Sequence, residues 1–181
     1  MSKKYKFNDK EGIYFVTSTV VDWIDIFTRN IYRDILINSF RFCQLNQGLQ
    51  IHAWILMPSH FHLICSFINN KDPGLVIKNI KSFTAIRLID AIINNQQESR
   101  KEWVLDLFEK NGEANKSNHR FQFWQHENHP LLLSNKKMYD QRLNYLHENP
   151  VRSGFVREPQ EWLYGSGVDY YSPNEKGLLD L

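Results

Sequence analysis

The chain is poor in cysteine, with two among 181 residues, Cys43 and Cys65. Far apart and with no second pair nearby, they argue against a disulfide framework and a thiolate zinc site, and they read as core thiols of a protein kept in a reducing compartment. The sequence also lacks any run of about 18 apolar residues, the length a membrane-spanning helix needs. Its first residues, MSKKYKFNDKEG, carry no apolar h-region of a signal peptide, so a cytoplasmic protein with no membrane partner is expected. Nor is there an excess of one charge. The 22 Lys and Arg against 20 Asp and Glu leave a formal +2, so any basic surface has to be local. Internal repeats and low-complexity tracts are missing too. What is present is ordinary for a globular protein, 42% hydrophobic and 14% aromatic residues, enough for one core and too short for two. The expectation is a single domain over residues 1–181, with a polar insertion near 94–120 and a tail from about residue 158.

Residues 12–21, GIYFVTSTVV, are β-branched and aromatic behind a glycine and predict a first strand. Over 29–46, Ile31, Ile35, Ile37, Phe40 and Phe42 or Cys43 recur at about helical spacing, and the polar NQG closes a first helix. Two short apolar runs, LQIHAWILM and FHLICSF, flank a Pro-Ser break and predict a hairpin. After NNKDPG, residues 75–93 carry a second helical repeat. The segment 94–120 is polar apart from the amphipathic island KEWVLDLFEK and reads as an excursion from the fold with a mobile end. Residues 121–129, FQFWQHENH, alternate at their start and predict a fourth strand; Ser134 then caps a last long helix, NKKMYDQRLNYLHE, which Pro150 is expected to stop. The order β-α-β-β-α-β-α implies an α+β fold, an antiparallel sheet with helices on one face.

Within the hairpin, WILMPSHFHLICSF places His60 and His62 one residue apart. Residues i and i+2 of a strand share a face, so the two imidazoles point together while Phe61 enters the opposite layer. That geometry suits two nitrogens on one metal. An HxH pair alone fits equally a turn-capping imidazole and a half-buried polar residue, and two ligands hold a metal weakly, so a third donor is required. The last helix offers one. At about 100° per residue, Tyr139, Leu143 and Leu146 form an apolar stripe, Tyr145 lies about 120° from Tyr139, and Asn149 sits one turn beyond Tyr145 on the same side. The Tyr145 hydroxyl and the Asn149 amide oxygen can meet one site, with Arg142 between them to contact a phosphate. A tyrosine beside an apolar stripe also packs, and Asn before Pro also ends a helix. His126, His129 and His147 stay outside the ligand set, His147 because it falls on the far side of the helix from Tyr145.

WILMPSHFHLICSF followed about eighty residues later by YLHENPVRSGFV resembles the HUH single-tyrosine transposases, in particular the REP-associated tyrosine transposase branch, whose motifs look like W-x-L-M-P-N-H-x-H-L and Y-I-H-x-N-P-V-x-x-G-x-V. The resemblance covers most of the chain, and the element order fits the ferredoxin-like fold of that family. By position it implies that His60 and His62 bind the metal, that Tyr145 is the nucleophile and that Asn149 is the third polar ligand. Ser59 departs from the usual Asn before the first histidine, and 94–120 follows no pattern of the family. The implied activity is nicking and rejoining of single-stranded or hairpin DNA, REP-like palindromes included, through a 5′-phosphotyrosine. A site of mixed N and O ligands with open positions suits Mg²⁺ or Mn²⁺. The expected state is a monomer, a homodimer with exchanged C-terminal helices being the alternative.

DNA contacts are expected from Lys78, Lys81 and Arg87 on the second helix and from a basic arm of Lys3, Lys4 and Lys6. Singly, each lysine also reads as an ordinary solvated charge. Trp124, Trp162, Tyr164, Tyr170 and Tyr171 offer rings for unpaired bases and equally fit core or tail packing. Two other readings stand beside the transposase: a catalytically silent hairpin-DNA-binding regulator of the same fold, and a metal phosphohydrolase in which Tyr145 is structural. The second would need more carboxylate ligands than these motifs supply.

Overall fold

A computed structural model of the chain describes residues 7–115, 120–126 and 130–181. Among these, the strands are Tyr14–Thr19 (β1), Leu49–Leu56 (β2), His60–Phe67 (β3) and Leu131–Leu132 (β4). The helices are Asn30–Asn46 (α1), Pro73–Asn94 (α2), Lys101–Glu113 (α3), Lys136–Arg152 (α4) and Gly167–Tyr171 (α5). Local chemistry fixes their ends. Asp72 caps α2 by accepting from the Leu75 amide at 2.9 Å, and Pro73 occupies the first turn, where its missing N–H leaves no bond unmade. Gly48, at φ +70°, turns the chain from α1 into β2, and a Cβ there would stand 2.7 Å from the Ile68 carbonyl oxygen.

The strands run in the order β2-β3-β1-β4 with every neighbouring pair antiparallel. β1 and β2 are therefore parallel on either side of β3, and β3 and β4 on either side of β1, which interleaves two β-α-β crossovers. In the β1–β3 ladder Thr17 faces His62 and Thr19 faces His60. A register shift between Ile51 and Ala53 puts Ile51 and Trp54 on one sheet face and Ala53 and Ile55 on the other.

Both faces of the sheet are buried. Tyr14, Phe61, Leu63 and Trp54 pack with α1 and α2 residues such as Leu36, Phe40 and Ile80. On the other face Phe15, Ile55 and Ile64 meet Leu143 and Leu146 of α4. The expectation of helices on one face holds for α1 and α2 and fails for α4, because the apolar stripe Tyr139-Leu143-Leu146 needs a face that the first two helices leave open.

Three further expectations are corrected. The fourth strand is not 121–129: Trp124 makes a single bridge to Val20, while β4 pairs with Tyr14 and Phe15. Backbone groups of that earlier segment are satisfied elsewhere, the Gln122 amide by the Phe108 carbonyl at 2.9 Å and the Gln125 amide by the Thr19 carbonyl at 2.8 Å. Residues 127–129 lie outside the described residues. The cap of α4 is Asn135 rather than Ser134, its side chain accepting from the Met138 amide at 3.0 Å. Pro150 does not stop α4 either. It lies buried in the last turn, and closure comes later, where the Gly154 amide donates to the Val151 carbonyl and the Phe155 amide to the Pro150 carbonyl, both at 2.9 Å, with Gly154 at φ +75°.

The insertion is not an excursion. Its helix α3 buries Val104 and Phe108 completely in the core. Glu98 at its start, 5% exposed, accepts from Arg29 at 2.8 Å and from the Tyr32 hydroxyl at 3.2 Å, which ties the segment to α1. The tail is packed as well. The Leu56 amide donates to the Tyr164 carbonyl at 2.8 Å, the Ser166 amide to the Trp54 carbonyl at 2.9 Å, and the Trp162 indole to the Leu56 carbonyl at 3.1 Å. No helix among the described residues is long and apolar enough to cross a membrane.

Candidate active site

His60 opens β3 and His62 follows two residues later, so strand alternation turns both toward the face covered by α4, while Phe61 goes to the opposite layer against Phe40 and Trp124. Their ring centroids are 4.9 Å apart. Tyr145 reaches the same place from α4, its ring edge-on to His62 at 5.4 Å and to Phe15 at 6.0 Å, and it stays 38% exposed. The Arg142 guanidinium lies 5.4 Å from the centre of the Phe15 ring and 5.9 Å from that of Tyr145. Asn149 stands one helical turn beyond Tyr145, half-buried, with its carbonyl accepting from the Ser153 amide at 3.0 Å. His147 faces away, bonded through Nε2 to Ser166 Oγ at 2.9 Å and packed against Tyr170 and Tyr171.

The environment of the two imidazoles is specific. His62, 4% exposed, stacks on Phe15 at 5.0 Å, and its Nδ1 lies 2.7 Å from the Thr17 hydroxyl. Its Nε2 is buried and has no partner among the described residues. His60 Nδ1 is 3.2 Å from the Ser59 hydroxyl. Burial pushes the His62 imidazole down to about 3, with the positive charges of His60 and Arg142 acting the same way, and burial brings His60 down to about 4. Both rings are therefore neutral near pH 7, each with a lone pair to give.

An unpartnered nitrogen in a buried site costs free energy unless something outside the protein completes it. When Thr17 Oγ1 accepts from His62 Nδ1–H, Nε2 presents a lone pair of the kind that a divalent cation accepts. Among the described residues no group of three His, Cys, Asp or Glu side chains is arranged to hold a metal ion. A third protein donor among the described residues is then an amide, hydroxyl or main-chain oxygen, and the Asn149 amide is of that kind.

The expected DNA contacts on α2 do not share this face. Lys78 and Arg87 are exposed on α2, across the sheet from the histidines. Lys81 is not a free surface charge: its ammonium donates to the Gln125 carbonyl at 2.6 Å, and burial pushes it down to about 8. With Lys78 and residues 121–126 it lines a cavity of 330 Å³. Lys3, Lys4, Lys6 and His129 lie outside the described residues. Of the offered rings, Trp124 is core, and Trp162 and Tyr164 belong to the tail packing.

Sequence reasoning missed Thr17, Phe15 and Trp23, whose ring stands 5.4 Å from His60. Strand alternation in YFVTST groups Phe15 with Thr17, but only the β1–β3 register reveals which residues they face.

No protein-family model matches the chain, and no curated protein matches it. Among solved structures, one shares its fold and a second shows similarity alone. A REP-associated tyrosine transposase bound to a REP hairpin superposes with a TM-score of 0.64 at 18% identity, over 100% of this chain and 95% of that one. A protein from Deinococcus radiodurans R1, described as a transposase, matches with a TM-score of 0.48 at 18% identity over 82% of this chain and 97% of that one. The mixed α+β fold is thus the fold of a tyrosine transposase.

Proposed function

We propose that the protein is a metal-dependent DNA transposase of the HUH single-tyrosine type, in the REP-associated branch, which nicks and rejoins single-stranded or hairpin DNA through a 5′-phosphotyrosine intermediate. The observation that carries this reading is the meeting of Tyr145 with His62, whose buried Nε2 has no partner among the described residues. The fold shared with a transposase bound to a REP hairpin supports hairpin DNA as the substrate.

In this reading the Tyr145 oxygen attacks the phosphorus of a phosphodiester. A bond forms between tyrosine oxygen and phosphorus and the bond to the 3′ oxygen breaks; the phenolic proton passes to solvent, and the leaving 3′ oxygen takes one up. Arg142, which has no carboxylate partner among the described residues and hangs over the Tyr145 ring, is placed to hold a non-bridging phosphate oxygen. His60 and His62, neutral at pH 7, serve as ligands rather than acids. His60, His62 and Asn149 would hold a divalent ion such as Mg²⁺ or Mn²⁺, which would supply positive charge against the developing negative charge of the reacting phosphate. Since the phosphotyrosine ester keeps the energy of the bond it replaced, a second 3′ hydroxyl reverses the step without ATP.

The test is a denaturing gel of the protein incubated with Mg²⁺ or Mn²⁺ and fluorescent hairpin oligonucleotides from palindromes flanking its gene. A covalent band is expected, lost in Tyr145→Phe, which still binds DNA. Cleavage without an adduct would favour a metal phosphohydrolase, and binding without cleavage in either metal a silent regulator.

A further inference from the structure

Between β1 and α1 the chain makes a tight 3-10 turn, Val21–Trp23, to which the proposed chemistry assigns no role. Two successive residues in it, Asp22 at φ 52° and Trp23 at φ 56°, occupy the left-handed region. Side chains with a Cβ disfavour that region, a bulky indole most of all, and such conformations persist only where surrounding bonds impose them. Here they do. The Val21 amide donates to the Phe123 carbonyl at 2.9 Å, the Trp23 amide to the Val20 carbonyl at 3.1 Å, and Asn111 of α3 donates to the Asp22 carboxylate at 2.7 Å.

The strain is not repaid in the core. Trp23 remains 61% exposed, although a tryptophan is the residue with most to gain from burial. What the turn achieves is position: it sets the indole beside His60, centroid to centroid 5.4 Å at 71°. A large open π-surface is thereby fixed beside His60.

We infer that Trp23 is the stacking platform for an unpaired base of the DNA strand, next to the phosphate that Tyr145 attacks. The inference rests on the function proposed above and adds where the single strand enters. A base lying on the indole places its backbone at His60, and every base has a π-face, so the platform orients the strand without reading its sequence. It also gives the insertion a task, since α3 holds the turn through Asn111.

The experiment uses the Tyr145→Phe protein, which cannot cut, and a fluorescein-labelled DNA hairpin with a short unpaired extension, 2-aminopurine replacing each unpaired base in turn. The parent is expected to quench one position. Trp23→Ala should release that quench and weaken binding about 5- to 150-fold, whereas Trp23→Phe, which keeps an aromatic face, should retain most of both. Full affinity and an unchanged quench in Trp23→Ala, while the parent binds, would overturn the platform and leave the function standing. A parent that binds no hairpin, with or without an extension, would overturn the function and the platform together. Because the indole is exposed, Trp23→Ala should unfold at the same temperature as the parent, so lost binding cannot be lost folding.

Discussion

Thr17 and His62 face each other across the β1–β3 ladder, hydroxyl to Nδ1 at 2.7 Å, so Nδ1 is engaged within the sheet and Nε2 is the nitrogen left to the site. In the tautomer where the hydroxyl accepts from Nδ1–H, the proton is held there and Nε2 keeps its lone pair; the Ser59 hydroxyl lies 3.2 Å from Nδ1 of His60.

Removing the hydroxyl should therefore scramble the tautomer before it disturbs anything else. In Thr17→Val, nitrogen NMR of the metal-free protein is expected to show His62 shifting from the Nδ1–H form to a mixture, and Mn²⁺ affinity is expected to fall about 10- to 100-fold. Thr17→Ser should restore both. An unchanged tautomer with weakened metal binding would mean that Thr17 acts through packing instead.

Acid should destabilise the metal-free protein in a definite window. Burial pushes His147 down to about 4 from an ordinary 6.5, so the unfolded chain takes up its proton first as pH falls. The stabilisation is complete above about pH 6.5 and is lost progressively toward pH 4, amounting to at most about 3 kcal/mol for this residue. His60 and His62 act in the same direction, His62 to lower pH. Urea midpoints measured across this range should fall with acidification, and His147→Gln should flatten the slope; a midpoint independent of pH would contradict a buried neutral imidazole.

Phe108 tests whether α3 belongs to the fold. Fully buried and tilted against Phe123 at 5.0 Å, it should cost about 3–5 kcal/mol when cut to Ala. A dispensable surface segment would lose less than about 0.5 kcal/mol. Chemical unfolding followed by circular dichroism separates the two.

Much of this molecule is written locally. The hairpin, α1, α2 and the shared face of His60 and His62 follow from period and punctuation, because each depends on residues close in sequence. So does the side of α4 that carries Tyr145 and Asn149. Long-range partners are not written that way. Phe123 and Trp124 look like a strand in isolation, yet α3 and the end of β1 take up the backbone hydrogen bonds around them, and Pro150 looks like a stop although the Gly154 closure lies beyond it. Lys81 reads as a surface charge until 121–126 folds across it. Thr17 had no signal without the register, and Trp23 none without its backbone angles.

The tail has a consequence for how copies of the chain can meet. An outer strand with free amides and carbonyls invites a strand from a neighbour, a common route to aggregation. On β2 the Leu56 amide and the Trp54 carbonyl are already spent on Tyr164 and Ser166 of the same chain. A second molecule cannot extend the sheet there without first peeling that segment away, and the Trp162 and His147 bonds resist it. The same stitching burdens any exchange of α4 between copies, for the helix would have to carry the segment of Trp162, Tyr164 and Ser166 with it.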